Sequence, residues 1–269
     1  MDERKKISVD ESKKIMVDIL KSVHEFCVEN NLKYSLYAGT LIGAIRHDGF
    51  IPWDDDIDIL LPRKDYEFFI NHFKTECYEV ITPYNCKLYY LPWAKVYDNR
   101  TIKIEPVSIN AEYLFGIDID VFPMDYIDSE KSFKKMLYHK EKYKKRLKKA
   151  VDKIPWCNPF KHPKTFLKAF IYRILYFGKQ SYFSRKLDKI YSHYNKKKHN
   201  YLMVNSLFGH RPLFKNDLFD NLIFHRFENY EFCIFSEYDY FLKKIFGDYM
   251  KMPPKDEQVT HHGHKLFYK

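Results

Sequence analysis

The feature that most constrains the fold is a run of four aspartates that leads directly into an apolar segment. The aspartates are residues 54, 55, 56 and 58, and the apolar segment runs from Ile57 to Leu61. Because successive side chains of an extended strand point to opposite faces, Asp54, Asp56 and Asp58 are predicted to share one face. Ile57 and Ile59 then point into the core. Like charges held this close repel, so an uncompensated cluster would be costly.

A divalent cation would remove that repulsion. Mg²⁺ prefers a few carboxylates together with phosphate oxygens of a substrate. The simpler interpretation is a solvated acidic loop, but such a loop would not be expected to lead so directly into Ile57, Ile59, Leu60 and Leu61. A calcium loop of EF-hand type is disfavoured because its central Gly and terminal Glu are missing.

A small turn precedes the aspartates at Gly39 and Thr40. It stands between a strand candidate, Tyr34 to Ala38, and a short predicted helix, Leu41 to His47. Such a turn exposes backbone N–H groups and a hydroxyl at a helix N-terminus, which suits a phosphate. Alone, a Gly-Thr pair is usually only a turn.

A further pair of carboxylates, Asp118 and Asp120, lies in the alternating segment Leu114 to Phe122, which Pro123 is predicted to end. Both fall on one face of that strand. A Gly-Thr turn, an Asp-x-Asp strand and a third carboxylate on a neighbouring strand resemble the nucleotidyltransferase fold. In that arrangement two carboxylates hold metals on a nucleotide's phosphates, and the third assists deprotonation of the acceptor hydroxyl.

The remaining pattern predicts an α+β protein, with a nucleotidyltransferase-like mixed sheet flanked by helices. Ser8 and Glu11 form a capping box for a helix over about 9–29. A meander of short strands is expected near 78–82, 87–97 and 101–105. Further helices are predicted over 65–73, 130–152, 164–197 (as a pair) and 238–246, the last ending at Gly247.

Charge divides the chain into three predicted parts: a catalytic core over 1–129, a basic helical insertion over 130–200, and a C-terminal part over 201–269 that completes the catalytic domain. The insertion holds 22 Lys and Arg against four acids, a charge of +18, whereas the rest carries −8. Its apolar residues from Phe166 to Leu175 recur at helical spacing, which suits peripheral contact with an anionic membrane. The alternative is an ordinary core stripe below a solvated charged face; no nucleic acid partner is expected.

The five cysteines, at 27, 77, 86, 157 and 233, are odd in number and contain no CxxC pair. They indicate free thiols in a reducing compartment. The N-terminus has no apolar run, and no stretch reaches the length of a spanning helix. The expected location is therefore cytoplasmic, with peripheral contact at the inner face of the cell membrane.

Residues 37–59, from Tyr-Ala-Gly-Thr-Leu-Ile-Gly to Pro-Trp-Asp-Asp-Asp-Ile-Asp-Ile, resemble the signature of the LicD family. That family includes bacterial phosphocholine transferases and is related to fukutin and fukutin-related protein. Ile119-Asp-Val-Phe-Pro-Met-Asp125 and Phe246-Gly-Asp-Tyr-Met-Lys-Met-Pro-Pro254 extend the resemblance over most of the chain. Segment 130–200 carries no family motif.

The resemblance implies a transferase that moves a phospho-alcohol, such as phosphocholine from CDP-choline, with Mg²⁺ or Mn²⁺ and release of CMP. The acceptor would be a cell-surface glycan, such as lipopolysaccharide or teichoic acid, or its lipid-linked precursor. Choline, ethanolamine, glycerol and ribitol all stay open as the alcohol. One alternative is a nucleotidyltransferase acting on a small molecule or RNA, which would release pyrophosphate. Another is a non-enzymatic basic protein that binds membrane or nucleic acid.

The matching positions assign roles to individual residues. The metal-binding and catalytic carboxylates are Asp56, Asp58 and Asp120. The candidates for donor phosphate are Gly39, Thr40, Arg46, His47 and Lys95. The residues expected to orient the loop or to face substrate are Asp54, Asp55, Asp118, His261 and His262. Simpler roles stay open: Arg46 pairing with Asp48 or another acid of the cluster, His47 as a helix C-cap, and Lys95 as a surface lysine.

Overall fold

The computed structural model describes residues 4–104, 115–152, 163–207, 212–260 and 264–269. The helices are α1 Val9–Glu29, α2 Ala38–His47, α3 Arg63–His72, α4 Glu130–Val151, α5 Pro163–Tyr176, α6 Gln180–Tyr191 and α7 Tyr238–Phe246, with short 3-10 turns at Ser192–Tyr194 and Lys255–Glu257. The strands are β1 Ser35–Leu36, β2 Asp58–Pro62, β3 Tyr78–Ile81, β4 Ala94–Asp98, β5 Thr101–Ile104, β6 Asp118–Ile127, β7 Tyr201–Val204, β8 Phe214–Lys215, β9 Leu222–Phe227, β10 Tyr230–Phe235 and β11 Lys265–Tyr268.

A mixed sheet flanked by helices forms the centre of the molecule, which confirms the predicted α+β class. Its path is β1-β2-β6-β4-β3, with β7 paired to β6 and β8 paired to β7. Strands β2 and β6 run parallel, and the other pairs in this sheet are antiparallel. The parallel pair brings the starts of β2 and β6 to the same edge of the sheet.

Helix α1 follows the prediction closely. The Ser8 hydroxyl accepts a hydrogen bond from the Glu11 N–H at 3.2 Å, and Asn30 is the C-cap. The Glu11 carboxylate accepts from the Tyr268 hydroxyl at 2.8 Å, which links the helix to the last strand. Its apolar face is completely buried at Ile19, Leu20 and Val23.

The prediction that Pro123 ends its strand is wrong, because β6 continues to Ile127. On one edge, β6 pairs with β4 up to Val121 and with β7 from Met124 onward. The Pro123 carbonyl accepts a hydrogen bond from the Asn205 N–H on that edge, so the missing N–H of proline faces the junction between the two partners. A proline is tolerated there because no ladder bond is lost.

The predicted meander is only partly right. Strands β3 and β4 pair as expected, but residues 87–93 form no strand. The chain there turns, with the Tyr89 N–H bonded to the Cys86 carbonyl, and Pro92 has no N–H to donate. Strand β5 pairs with β11, because both edges of β4 are already occupied by β3 and β6.

Within its described residues the basic segment 130–200 is helical, as predicted, and α6 fastens it to the central sheet. The Ser184 hydroxyl donates to the Tyr90 carbonyl, and the Tyr84 hydroxyl donates to the Asp188 carboxylate at 2.7 Å. Strands β7 and β8 add the later part of the chain to the same sheet. The division into three parts at 130 and 200 stays a prediction.

The four cysteines in the described ranges are free thiols, with Cys27 buried and the other three partly exposed. Cys157 lies outside those ranges. Among the helices that the structure describes, none is both long enough and apolar enough to cross a membrane.

Candidate active site

Asp58 and Asp120 lie directly opposite each other in the parallel β2–β6 pair. Both neighbours of Asp58, Ile57 and Ile59, are completely buried, as the alternating pattern predicts. The sheet core therefore fixes the backbone of Asp58, and its carboxylate is left at the edge where the two parallel strands begin. The order of the strands brings these two carboxylates together, although sixty-two positions separate them in the sequence.

The turn before α2 fixes the start of β2. The Asp58 N–H donates to the Thr40 hydroxyl at 2.9 Å, and the Tyr37 N–H donates to the Asp58 carbonyl at 2.9 Å. Thr40 is buried, so its predicted contact with donor phosphate stays a prediction, while its observed role is to hold Asp58. Ala38 begins the helix at a φ of 48°, in the left-handed region that favours glycine. Such strain tends to cluster at functional sites.

Gly39 leaves room for the Asp54 carboxylate. A Cβ on Gly39 would overlap Asp54 Oδ2, so only glycine permits this approach. The Asp54 carboxylate consequently lies at the N-terminal end of α2, where backbone N–H groups favour negative charge. This is the position that the sequence assigned to a donor phosphate.

Asp54, Asp56 and Asp58 form one electrostatic group with Asp120, which we call the Asp58 cluster. Burial, followed by the charge of Asp56, raises the pKa of Asp54 to about 8. Burial, and then the charges of Asp56 and Asp120, raise the pKa of Asp58 well above its ordinary value. Within the described part of the chain, no donor makes a hydrogen bond to the Asp58 carboxylate.

Lys95 lies between Asp118 and Asp120. Its ammonium contacts the Asp118 carboxylate and donates to Asp120 Oδ2 at 2.9 Å. This shared contact confirms that the two aspartates lie on one face of β6. Lys95 is only 7% exposed, so the alternative of a surface lysine is wrong. Burial alone would lower its pKa, but Asp118 and Asp120 raise the pKa of Lys95 well above the usual range.

Two residues that the sequence did not single out complete this arrangement. The Trp93 indole N–H donates to Asp120 Oδ1 at 2.6 Å, and the Lys103 ammonium pairs with Asp118 Oδ1 at 2.7 Å. Burial raises the pKa of Asp118, but Lys103 and Lys95 outweigh it and hold that pKa well below its usual range. Burial raises the pKa of Asp120 despite Lys95. The spacing of Trp93 and Lys95, two residues apart, could have indicated Trp93; no sequence signal indicated Lys103.

Arg46 and His47 lie at the last turn of α2. The Arg46 guanidinium donates to the Tyr249 carbonyl at 2.8 Å and to His47 Nε2 at 3.0 Å. Among the described residues Arg46 makes no ion pair, so the alternative of a pair with Asp48 is wrong. The alternative of His47 as C-cap is also wrong: Asp48 takes that position, at a φ of 54°. Burial, and then the Arg46 charge, lower the pKa of His47.

Asp55 lines a small cavity of about 60 Å³ together with Lys103, Asp118 and His264. Residues 54–57 precede β2, and the charge of Asp55 contributes to the raised pKa of Asp54 after burial and Asp56. His261 and His262 lie outside the described residues, and their predicted contact with substrate stays a prediction.

The carboxylate oxygens of this site are the kind of ligand that a hard divalent cation prefers. Five carboxylates (Asp54, Asp56, Asp58, Asp118 and Asp120) face two ammonium groups, those of Lys95 and Lys103. Mg²⁺ is usually bound through one or two carboxylates together with waters and substrate phosphates, and this group offers more than enough oxygens for that. In the part of the chain that the structure describes, however, no three His, Cys, Asp or Glu side chains are preassembled as a metal site. Lys95 holds one oxygen of Asp120, and Trp93 holds the other.

Comparison with known proteins gives a family. The family model described as LicD/FKTN/FKRP, nucleotidyltransferase domain, matches residues 31–162. The lipopolysaccharide cholinephosphotransferase LicD of Haemophilus influenzae is 31% identical over 272 residues, covering 96% of this chain and 97% of that protein. An uncharacterized protein of Rickettsia typhi is 42% identical over 62 residues, covering 23% of this chain and 20% of that protein. One of Rickettsia prowazekii is 46% identical over 50 residues, covering 19% of each.

Proposed function

The chain belongs to the LicD family, and from that premise we propose that it transfers phosphocholine from CDP-choline to a cell-surface glycan, with release of CMP. The Haemophilus influenzae relative is named as a lipopolysaccharide cholinephosphotransferase, and the alignment covers nearly the whole of both chains. We therefore propose lipopolysaccharide, or the lipid-linked precursor of such a glycan, as the acceptor.

The observation that carries this proposal is the position of Asp58 opposite Asp120. Two half-buried carboxylates on adjacent parallel strands, with Asp54 and Asp56 beside them, form an acidic site that the described residues compensate only in part. Burial and mutual repulsion raise the pKa of Asp54 and Asp58, so without a cation these carboxyl groups tend to hold protons. A bound cation would supply the missing positive charge.

We propose Mg²⁺, or Mn²⁺, as that cation, with Asp56, Asp58 and Asp120 as its protein ligands. When bound, the cation would offset the negative charge of both the carboxylates and the donor's diphosphate. The Asp120 carboxylate is held by Trp93 and Lys95, each of which uses one oxygen. A carboxylate oxygen has more than one lone pair, so these contacts orient Asp120 and leave acceptor capacity for a further partner.

We propose that two basic groups, Arg46 and Lys95, act on the donor. Arg46 makes no ion pair within the described residues and donates only to His47 and a backbone carbonyl, so its guanidinium charge is not neutralised by an acid. Lys95 lies beside Asp120, where its charge would face a phosphoryl group approaching the cluster. Arginine and lysine charge near a transferring phosphoryl group stabilises the negative charge of the transition state.

The transfer requires one bond to form and one to break. An acceptor hydroxyl oxygen attacks the phosphorus that carries choline, and the bond from that phosphorus to the oxygen of the CMP phosphate breaks. CMP leaves with the electron pair of that bond. In this proposal Asp120 accepts the proton of the acceptor hydroxyl, as a positioned carboxylate can in general base catalysis.

We propose that the enzyme acts at the inner face of the cell membrane, where a lipid-linked acceptor and a cytoplasmic nucleotide donor are both accessible. The positive charge of the helical segment supports this location, because cytoplasmic leaflets carry anionic lipids. The catalytic chemistry does not depend on this location, and a soluble glycan fragment would serve as acceptor.

Incubation with labelled CDP-choline, Mg²⁺ and lipopolysaccharide tests the proposal. We expect CMP and labelled phosphocholine on the glycan in equal amounts, with both products lost when EDTA is added. CDP-ethanolamine, CDP-glycerol and CDP-ribitol in parallel reactions identify the alcohol. Pyrophosphate released from a nucleoside triphosphate, with the nucleotide left on the acceptor, would contradict phospho-alcohol transfer.

A further inference from the structure

Helix α5, together with Phe177 just after its end, presents a strip of large apolar side chains to solvent. Six of them within eleven residues are between 46% and 61% exposed: Leu167, Phe170, Ile171, Ile174, Leu175 and Phe177. Elsewhere in the described chain, exposed apolar residues occur singly or in small groups, which is normal for a protein surface. The alternative that this stripe is ordinary core is therefore wrong.

The opposite face of α5 is already occupied. Tyr172 and Tyr176 lie below the Lys149 ammonium of α4, at 5.1 and 5.4 Å from their ring centroids, and Tyr176 packs on Phe183 of α6. Aromatic contacts thus fix the rotation of α5 about its axis. Because that face packs on α4 and α6, the apolar strip of α5 points outward.

Positive charge borders the apolar strip. Lys164 is exposed at the start of α5, Lys179 is exposed just after its end, and Arg173 is half-buried along it. A helix with a broad apolar face, flanked by basic residues and too short to span a bilayer, has the characteristics of an interfacial helix. Such helices lie in the plane of the membrane, with the apolar face at the boundary between headgroups and acyl chains.

We propose that α5 binds the protein to an anionic lipid bilayer by inserting its outward apolar face. The surrounding segment, with its charge of +18, attracts anionic headgroups, while Phe170, Ile174 and their neighbours provide the apolar insertion. A second copy of the chain is a weaker match, because two such segments repel each other. One helix about 20 Å long also buries far less area than a stable dimer needs.

This surface is linked to the candidate active site through α6. Ser184 of α6 bonds to the Tyr90 carbonyl, three residues before Trp93, whose indole holds Asp120. A bilayer bound by α5 therefore holds the catalytic sheet close to the membrane surface. The inference rests on the proposed function in one respect only. If the acceptor is lipid-linked, as proposed, binding at the membrane gives the enzyme access to it.

Vesicle co-sedimentation of the full-length protein tests the inference. The vesicles are phosphatidylcholine with and without phosphatidylglycerol, and the variants are F170S/I174S and the control F224S. Phe224 is 60% exposed on β9, so it matches Phe170, at 53%, in exposure but lies on another element. We expect wild type and F224S to bind the anionic vesicles equally. F170S/I174S should partition about tenfold less, because membrane affinity depends on buried apolar area.

Several outcomes would overturn the inference: no binding of wild type to either vesicle, equal binding of all three proteins, or a concentration-dependent dimer of wild type that F170S/I174S abolishes. Preferential binding to RNA with no vesicle binding would do the same. Transfer to a soluble glycan fragment, measured alongside, keeps the two proposals separate. It should be equal in wild type and F170S/I174S whether or not α5 binds lipid, and its absence from wild type would contradict only the transferase.

Discussion

Strand β6 carries two buried groups of charges that differ in how they are compensated. Near its start, Asp120 belongs to the Asp58 cluster, in which the Asp58 carboxylate receives no hydrogen bond from the described residues. Near its end, Asp125 belongs to the Arg63 cluster, defined by Arg63, Asp125 and Asp188. There the guanidinium donates to both oxygens of Asp125, at 2.7 and 2.8 Å, and pairs with Asp188 at 2.9 Å.

From this difference we infer a structural role for the Arg63 cluster and propose a functional one for the Asp58 cluster. In the Arg63 cluster each carboxylate is paired, Asp188 also accepting from the Tyr84 hydroxyl and Asp125 from the Asn195 amide. This network of ion pairs joins α3, β6 and α6, so it holds the helical segment on the sheet. In the Asp58 cluster the carboxylates outnumber the cations, and burial and mutual repulsion raise the pKa of Asp54 and Asp58.

Arg63→Met gives the largest expected effect on folding. It leaves two buried carboxylates without their cation, so we expect the free energy of unfolding to fall by about 3–5 kcal/mol. Urea denaturation measures this, with Lys64→Met as the matched control, because Lys64 is the exposed neighbour and should change stability by less than about 0.5 kcal/mol. An unchanged urea midpoint for Arg63→Met would show that the Arg63 cluster is not structural.

Asp58→Asn and Asp56→Asn should show the opposite behaviour. We expect each to lower kcat at least about a hundredfold, equivalent to about 2.7 kcal/mol, with melting temperature unchanged or higher because one repelling charge is removed. CMP release and thermal melting in the same samples measure this, with Asp220→Asn, an exposed acid elsewhere, as control. Retention of more than about a tenth of kcat by either variant would remove that residue from the metal site.

Two glycines of α2 sharpen the comparison between site and scaffold. In Gly39→Ala the added methyl meets the end of the Asp54 side chain, which can move, so we expect lower activity with stability nearly unchanged. In Gly43→Ala it meets the Gly49 backbone carbonyl, so we expect about 1–3 kcal/mol of lost stability and normal activity of the folded protein. The same phenotype in both variants would contradict the assignment of Asp54 to the site.

Trp93→Phe tests the orientation of Asp120 with the smallest expected effect. Phenylalanine keeps an aromatic ring against Phe122 but removes the indole N–H bond to Asp120. We expect kcat to fall about three- to tenfold, equivalent to about 1 kcal/mol, with KM for the donor little changed. A change in KM alone would mean that Trp93 contacts the donor rather than orienting the carboxylate.

Much of the fold and part of the site follow from local sequence pattern. The cap at Ser8, the helix end at Gly247, the buried Ile57 and Ile59 and the shared face of Asp118 and Asp120 are all dictated by periods of 3.6 and 2 or by capping chemistry. These features depend on residues that are close in sequence, so the sequence pattern is enough to predict them.

Apart from the approach of Asp120 to Asp58, which the family resemblance implies, contacts between distant segments could not be predicted. Lys103 reaches Asp118 because β5 pairs with β11 rather than with β4, and Pro123 continues a strand because two partners meet beside it. The Arg63 cluster joins residues more than sixty and more than a hundred positions apart. Each depends on which strand occupies which edge of the sheet, and periodicity alone carries no such information.

The central claim is that the surplus charge around Asp58 exists to bind a cation with the donor phosphates. Calorimetric titration of Mg²⁺, with and without CDP-choline, into wild type, Asp58→Asn and Asp220→Asn tests it most directly. We predict that wild type and Asp220→Asn bind Mg²⁺ equally, more tightly when the donor is present, and that Asp58→Asn loses both binding and the gain from the donor. Binding of Mg²⁺ by Asp58→Asn with the affinity of wild type would contradict the proposed role of Asp58.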